Sequence, residues 1–105
     1  MKKYRFMTAN GDSYDIDGDG CFLRSKNGQW QHPHDEWKCR GVYEIIAFGQ
    51  WRFLPLDEFI NMIENGDSFT FKNGKPRYTI ADIDHGTMRG WGNTEYHGIK
   101  AAWAI

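Results

Sequence analysis

The densest group of chemically active side chains lies between residues 85 and 98 of the 105-residue chain. His85 and His97 could exchange protons near neutral pH. Arg89 could neutralise the charge that develops on a phosphate, and Glu95 could act as the base. Together these four residues could supply the acid, base and phosphate-binding groups of a small metal-free ribonuclease. This is the alternative function for the chain.

The same segment suits protein binding, because it combines aromatic side chains with four glycines. Trp91, Tyr96 and Arg89 belong to residue types that are enriched at the centre of protein interfaces. A connection of this length is more often functional or disordered than a plain link between elements. We therefore predict a long loop over residues 85–98 that contacts a partner, with Glu95 as a further contact.

The aromatic content, 5 Trp, 5 Tyr and 7 Phe, exceeds what a core of this size requires. Trp30, Trp37 and Trp91 lie beside predicted loops, so we expect them at the surface, where tryptophan often anchors a partner. Residues at alternate positions of a strand share one face. The aromatic side chains expected in the core on this ground are Trp51, Phe53, Phe69 and Phe71.

Three aspartates, Asp15, Asp17 and Asp19, match the first half of a calcium-binding loop, in which alternate carboxylates converge on one cation. The second half of the pattern fails, because Lys26 stands where a bidentate glutamate is needed. An EF-hand is therefore excluded. A solvated turn between two strands is the favoured interpretation, and a weak irregular cation site is the alternative.

Cys21, His32, His34 and Cys39 are all able to bind zinc. Ten residues separate Cys21 from His32, whereas structural zinc sites use closely spaced ligand pairs. We therefore predict no metal and no other cofactor. The two cysteines are expected to be reduced and buried, as in a cytoplasmic protein.

Charge and hydropathy limit the class of partner. The formal net charge is −1, from 13 Lys and Arg against 14 Asp and Glu, which disfavours nucleic acid and anionic lipid. The longest mainly apolar stretch, residues 45–56, is shorter than a membrane span of about 20 residues. No secretion signal is expected either, because Arg5 interrupts the first apolar residues. One cytoplasmic domain over residues 1–105 is predicted, with another protein as its partner.

The elements that must position these side chains are marked by four Asn-Gly dipeptides. Asn-Gly tolerates the positive φ that two-residue hairpin turns require. The predicted hairpins join residues 4–9 with 13–16, 21–25 with 29–31, and 68–72 with 77–84.

The fourth dipeptide, Asn65-Gly66, ends the single predicted helix, over about residues 55–65. Pro55 suits its first turn and Gly66 suits the left-handed position after its end. The apolar stripe of the helix consists of Leu56, Phe59, Ile60 and Ile63.

The remaining segments read as strands. Residues 42–54 are predicted as one strand with a bulge or bend at Gly49. Residues 99–105 are predicted as the last strand, with Ile99, Trp103 and two further residues on one face. The expected fold is therefore α+β, a twisted antiparallel sheet or half-open barrel of about seven or eight short strands with one amphipathic helix.

The sequence favours a small binding or regulatory protein without catalysis of its own, acting through protein contact as an inhibitor, immunity or accessory factor. A weak cation-dependent binder of sugars or other small ligands that uses the three aspartates is a further class. The predicted binding residues are Arg89, Trp91, Glu95, Tyr96, Trp30 and Trp37.

Overall fold

The computed structural model describes residues 2–17, 20, 22–26, 28–31, 38–47, 50–84, 87–90 and 97–105. This part of the chain forms nine strands and one helix. In chain order they are β1 (Tyr4–Thr8), β2 (Ser13–Ile16), β3 (Phe22–Lys26), β4 (Gln29–Gln31), β5 (Lys38–Ala47), β6 (Gln50–Pro55), α1 (Leu56–Asn65), β7 (Tyr78–Asp84), β8 (Thr87–Gly90) and β9 (Ile99–Ala104).

The strands form two antiparallel sheets. The first sheet has the order β4-β3-β2-β1-β9 and the second has the order β6-β5-β7-β8. The predicted hairpins at the first two Asn-Gly turns are present, since β1 pairs with β2 and β3 pairs with β4. The α+β class with antiparallel pairing is therefore confirmed.

Helix α1 is present at the predicted position. Pro55 precedes its first residue, and Asp57 and Glu58 lie in its first turn, where negative charge stabilises the positive end of the helix dipole. Gly66 ends the helix with a φ of 76°, and its N–H donates to the carbonyl of Ile63. Glycine adopts this left-handed conformation without strain, which explains the sharp stop.

The core lies between the two sheets and is centred on the helix. Phe59 of α1 is fully buried. Its ring centroid lies 5.3 Å from that of Phe6 in the first sheet and 5.6 Å from that of Tyr78 in the second. Both sheets therefore pack their inner faces against the same helix and share one core.

Among the described residues, backbone contacts join the two sheets at two places. Gly98, just before β9, forms a bridge with Thr79 of β7, and its carbonyl accepts a hydrogen bond from the N–H of Ala9. Elsewhere the N–H of Cys39 in β5 donates to the carbonyl of Gly20. The sheets are thus connected around the core as in a partly closed barrel.

Three segments differ from the sequence prediction. In residues 68–72 only Thr70 forms a bridge, with Pro76, and the pairing does not continue into the predicted hairpin. The bridge is flanked by backbone hydrogen bonds from the N–H of Arg77 to the carbonyl of Phe69 and from the N–H of Phe71 to the carbonyl of Lys75. Residues 42–54 form a hairpin of β5 and β6 instead of one bent strand. Thr87–Gly90 forms β8, paired with β7, inside the segment predicted as a loop.

Candidate functional site

The predicted site over residues 85–98 lies partly outside the described residues. His85, Trp91, Glu95 and Tyr96 are outside them, as are Trp37, Asp19, Cys21, His32 and His34. Arg89 has its backbone in β8, in register with Asp82 of β7. His97 is half-buried, next to the Gly98 bridge. The ribonuclease interpretation therefore stays a prediction, and Thr87–Gly90 of its predicted loop is a strand paired with β7.

The predicted metal ligands that the structure describes already have protein partners. Both carboxylate oxygens of Asp15 accept hydrogen bonds from Arg5, and Asp17 is half-buried beyond the end of β2. Cys39 is buried, and its thiol donates to the carbonyl oxygen of Gly41, with Sγ 3.5 Å from that oxygen. Within the described ranges, no three His, Cys, Asp or Glu residues are grouped closely enough to hold a metal ion.

The aromatic side chains divide differently from the prediction. Trp30 is exposed as expected, and Phe69 is buried as expected. Trp51 and Phe71, both predicted for the core, are exposed. The alternation of a strand shows which residues share a face but not which face is buried, and Trp51 lies on the face opposite to that of the buried residues Val42 and Leu54.

An exposed group of side chains lies on the outer face of the first sheet. In β1 the side chains of Tyr4 and Phe6 point into the core, so Arg5 and Met7 point outward. The register places Met7 in one row with Ser13, Ser25 and Trp30, and places Arg5 in the next row between Asp15 and Trp103. We call this surface, formed by Arg5, Met7, Asp15, Trp30 and Trp103, the tryptophan face.

Two contacts fix the Arg5 side chain at the centre of the tryptophan face. Its Nε and Nη2 atoms donate to the two oxygens of Asp15, at 2.8 and 3.0 Å. The guanidinium group also lies over the ring of Trp30, with its central carbon 5.0 Å from the ring centroid. The hydrogen bonds to Asp15 raise the pKa of Arg5 above its ordinary value, so this group stays charged.

Small side chains allow Trp30 to reach Arg5 across the sheet. Trp30 is in β4 and Arg5 is in β1, three strand spacings away, a distance of about 14 Å between the strands. Ser25 and Ser13 occupy the intervening positions in the row of Trp30, and Arg5 belongs to the next row. The indole and the guanidinium group extend over β3 and β2 and meet.

Both tryptophans of this face remain accessible. The exposed fraction is 44% for Trp30 and 37% for Trp103, and Met7 beside them is also exposed. The tryptophan face therefore exposes two indole rings and the thioether of Met7. They surround Arg5 and Asp15, whose opposite charges neutralise each other. Such a surface can bury apolar area against a partner without leaving an unpaired charge.

Of the tryptophan face, the sequence predicted only the surface position of Trp30, which is exposed. Trp103 was expected to share a face with Ile99, but Ile99 is fully buried and Trp103 is exposed. The register between β1 and β9 shifts between Met7 and Thr8, and such an irregularity reverses the alternation of β9. The opposite charges of Arg5 and Asp15 in adjacent predicted strands were the signal available in the sequence.

Comparison with known proteins gives no relationship from which a function could be transferred: no protein-family model, no curated protein and no solved structure matches the chain. Of the residues that the structure describes, none belongs to a helix with the length and apolar character needed to cross a membrane.

Proposed function

We propose that the protein is a non-catalytic binding protein that docks on another protein through the tryptophan face. The observation that supports this is the pair of exposed indoles, Trp30 and Trp103, on one side of the first sheet. Tryptophan and arginine dominate the energetically important centres of protein interfaces. An inhibitor, immunity or accessory factor would act through such a surface.

The fixed geometry of the tryptophan face supports binding, because little has to be ordered when a partner arrives. Arg5 is held by Asp15 and by the Trp30 ring. Immobilising a flexible side chain at an interface costs about 0.5–1.5 kcal/mol. Arg5 is already ordered in the free protein, so its immobilisation adds little to the cost of binding.

The charge of the tryptophan face favours a protein over a nucleic acid. A polyanion gains affinity when cations neutralise its phosphates, but the guanidinium group of Arg5 is already paired with Asp15. The centre of a protein interface is depleted of charge and enriched in aromatic residues and methionine, which matches Trp30, Trp103 and Met7.

The size of the face is consistent with this role. Five strands are about 19 Å across, at about 4.8 Å between neighbours. A standard interface covers about 800 Å² on each partner. The tryptophan face can supply the apolar centre of such an interface, with the adjoining loops as its polar rim.

The test compares three tryptophan variants as baits in cells of the native host. We expect Trp30→Ala and Trp103→Ala to lose a protein that the wild type captures, as read by quantitative mass spectrometry. Trp51→Ala is the matched control, because Trp51 is 41% exposed but lies on the other sheet. With the purified partner, each variant of the face should weaken binding by roughly 2 kcal/mol, as at an interface hot spot.

Folding must be checked in the same variants. Thermal unfolding of Trp30→Ala and Trp103→Ala should stay close to that of the wild type, since both side chains are largely outside the core. Retention of the captured protein by both variants, or its equal loss with Trp51→Ala, would contradict the proposal. Trp91→Ala in the same assay tests whether the segment 85–98 takes part in binding.

A further inference from the structure

A second group of charged side chains lies on the other sheet, away from the tryptophan face. Glu44 of β5, Arg52 of β6 and Tyr78 of β7 are in register with one another across three neighbouring strands. Arg77 precedes Tyr78 and reaches the same carboxylate. We call Glu44, Arg52, Arg77 and Tyr78 the Glu44 cluster.

The carboxylate of Glu44 is the centre of this cluster. Its Oε1 accepts a hydrogen bond from Nη2 of Arg52 at 2.7 Å, and its Oε2 accepts one from the hydroxyl of Tyr78 at 3.0 Å. Nη2 of Arg77 lies 3.7 Å from the same Oε2 atom. Burial and then the contact with Glu44 raise the pKa of Tyr78, so its hydroxyl stays protonated and continues to donate.

The two arginines lie on the solvent side of this carboxylate. The side chain of Glu44 is only 12% exposed, whereas that of Arg52 is 59% exposed and that of Arg77 is 39% exposed. Two guanidinium groups repel each other when they are close, and Glu44 offsets this repulsion because it attracts both. The cluster holds two positive charges against one negative charge.

The hydrogen-bonding capacity of the arginines is largely unused by Glu44. A guanidinium group carries five N–H donors, and each arginine approaches the carboxylate through Nη2 alone. Nε of Arg77 is buried without a hydrogen-bond partner within the described part of the chain, so it is not among the donors that a dissolved anion can reach. Its guanidinium group is held in place by the ring of Phe71, at 5.3 Å from the ring centroid.

We propose that Arg52 and Arg77, held together by Glu44, form a binding site for a phosphate group. A planar guanidinium fork binds two oxygens of one anion. A carboxylate has only two oxygens in one plane and suits one fork, whereas the tetrahedral oxygens of a phosphate can accept from two forks at once. The excess positive charge of the cluster provides the attraction.

The ring of Phe71 adds a place for the group that carries the phosphate. Phe71 is 40% exposed beside Arg77, and exposed aromatic rings stack on planar groups such as nucleobases. The same site could therefore take inorganic phosphate or the phosphate of a nucleotide. The two sources share the contact with Arg52 and Arg77, and they differ in whether the Phe71 ring is contacted.

The experiment follows the arginine Nε–H signals of the ¹⁵N-labelled protein by NMR during titration with sodium phosphate near neutral pH. We expect saturable shifts of the Arg52 and Arg77 signals in the millimolar range, with none for Arg40, an exposed arginine on β5. Sodium chloride at matched ionic strength is the reference. Shifts that do not saturate, or that chloride reproduces, would overturn the proposal.

Two further ligands separate the sources of the phosphate. Adenosine monophosphate is expected to bind through the same arginine signals, and movement of the Phe71 ring signals would identify the nucleotide as the better ligand. Binding of inorganic phosphate alone would identify the free anion. Adenosine without phosphate should leave the arginine signals unchanged, and a shift as large as that of the monophosphate would overturn the phosphate site.

Substitutions complete the test. Arg52→Gln and Arg77→Gln should each weaken phosphate binding about tenfold, the loss expected for one charge-assisted hydrogen bond. Arg40→Gln should leave it unchanged. Arg77→Lys is a second variant at the less exposed position. It keeps the positive charge and removes only the paired N–H donors of the guanidinium group. Equal loss in Arg40→Gln would show that general charge, and not the Glu44 cluster, attracts the anion.

Discussion

At the scale of single residues, Phe59 packs the helix against both sheets. Its ring centroid lies 5.0 Å from that of Phe69, in addition to the contacts with Phe6 and Tyr78. Aromatic pairs at such distances stabilise beyond the area that they bury. Phe59 thus connects both sheets and the segment after the helix.

Replacement of Phe59 should therefore be costly. We expect Phe59→Ala to lower the free energy of unfolding by about 3–5 kcal/mol, the usual cost of a large cavity. Ile60→Ala is the neighbouring control and should cost less, because Ile60 is only half-buried. Urea unfolding of both variants measures the difference, and an equal loss in the two would contradict the central position of Phe59.

Glu64 on α1 gives a residue-scale prediction for acid stability. Its Oε1 accepts hydrogen bonds from the hydroxyl of Tyr4 and from Nζ of Lys2. The bond from Tyr4 and then the contacts with Lys2 lower the pKa of Glu64. A group with a lowered folded-state pKa stabilises the protein above its unfolded-state pKa, and this contribution is lost as the pH falls through the folded-state pKa.

The substitution Glu64→Gln should accordingly destabilise the protein at neutral pH and have less effect in acid. Urea unfolding over a pH series measures the free energy of unfolding for both proteins. Tyr4→Phe should reduce the same pH dependence, because the first cause of the lowered pKa is removed. A difference between wild type and Glu64→Gln that is constant from neutral to acid pH would contradict this assignment.

At the scale of elements, the sequence predicted the turns and the helix, because residues close together in the chain determine them. The turns at Gly11 and Gly28 have positive φ and join adjacent strands, as Asn-Gly predicts. Helix α1 follows from its apolar stripe and its terminal glycine. The turn at Gly74 also has positive φ, but the strand after it pairs mainly with β5 and β8, which are distant partners that a local signal cannot specify.

The β5–β6 hairpin shows a second limit of the sequence. Gly41 lies opposite Pro55, and a Cβ atom at this position would be 2.0 Å from the carbonyl oxygen of Leu54 and 3.0 Å from Cζ of Phe53. The sequence shows a glycine but not what approaches it. Here the absence of a side chain allows the close approach of the two strands, beside the register shift between Cys39 and Gly41.

We therefore expect Gly41→Ala to destabilise the protein by about 3 kcal/mol or more, the upper range for overpacking. Gly66→Ala is the matched control, because no atom lies within 4 Å of a Cβ atom there. Its cost should be about 1–2 kcal/mol, from the left-handed backbone alone. Chemical denaturation separates the two. A smaller loss for Gly41→Ala than for Gly66→Ala would contradict the close approach.

At the scale of the whole molecule, the two proposed sites belong to different sheets. The tryptophan face lies on the outer side of the first sheet, and the Glu44 cluster joins three strands of the second. The sequence could not assemble either site, because each combines residues from segments far apart in the chain. Arg5 and Trp103 are neighbours only because β1 pairs with β9.

The pairing of β1 with β9 also closes the fold, and this gives the last prediction. Ile99 is fully buried, Gly98 bridges to Thr79 of the second sheet, and α1 packs against β9. Deletion of residues 99–105 would expose the edge of β1 and empty part of the shared core. We expect the shortened chain to lose cooperative unfolding in urea and its near-ultraviolet circular dichroism.

Deletion of Ile105 alone is the control, since this residue is exposed and contributes one backbone hydrogen bond, from its N–H to the carbonyl of Lys3. That variant should unfold cooperatively with a midpoint close to that of the wild type. If the chain without residues 99–105 also unfolds cooperatively at the wild-type midpoint, β9 is not part of the cooperative core. The position of Trp103 on the tryptophan face would then have to be assigned differently.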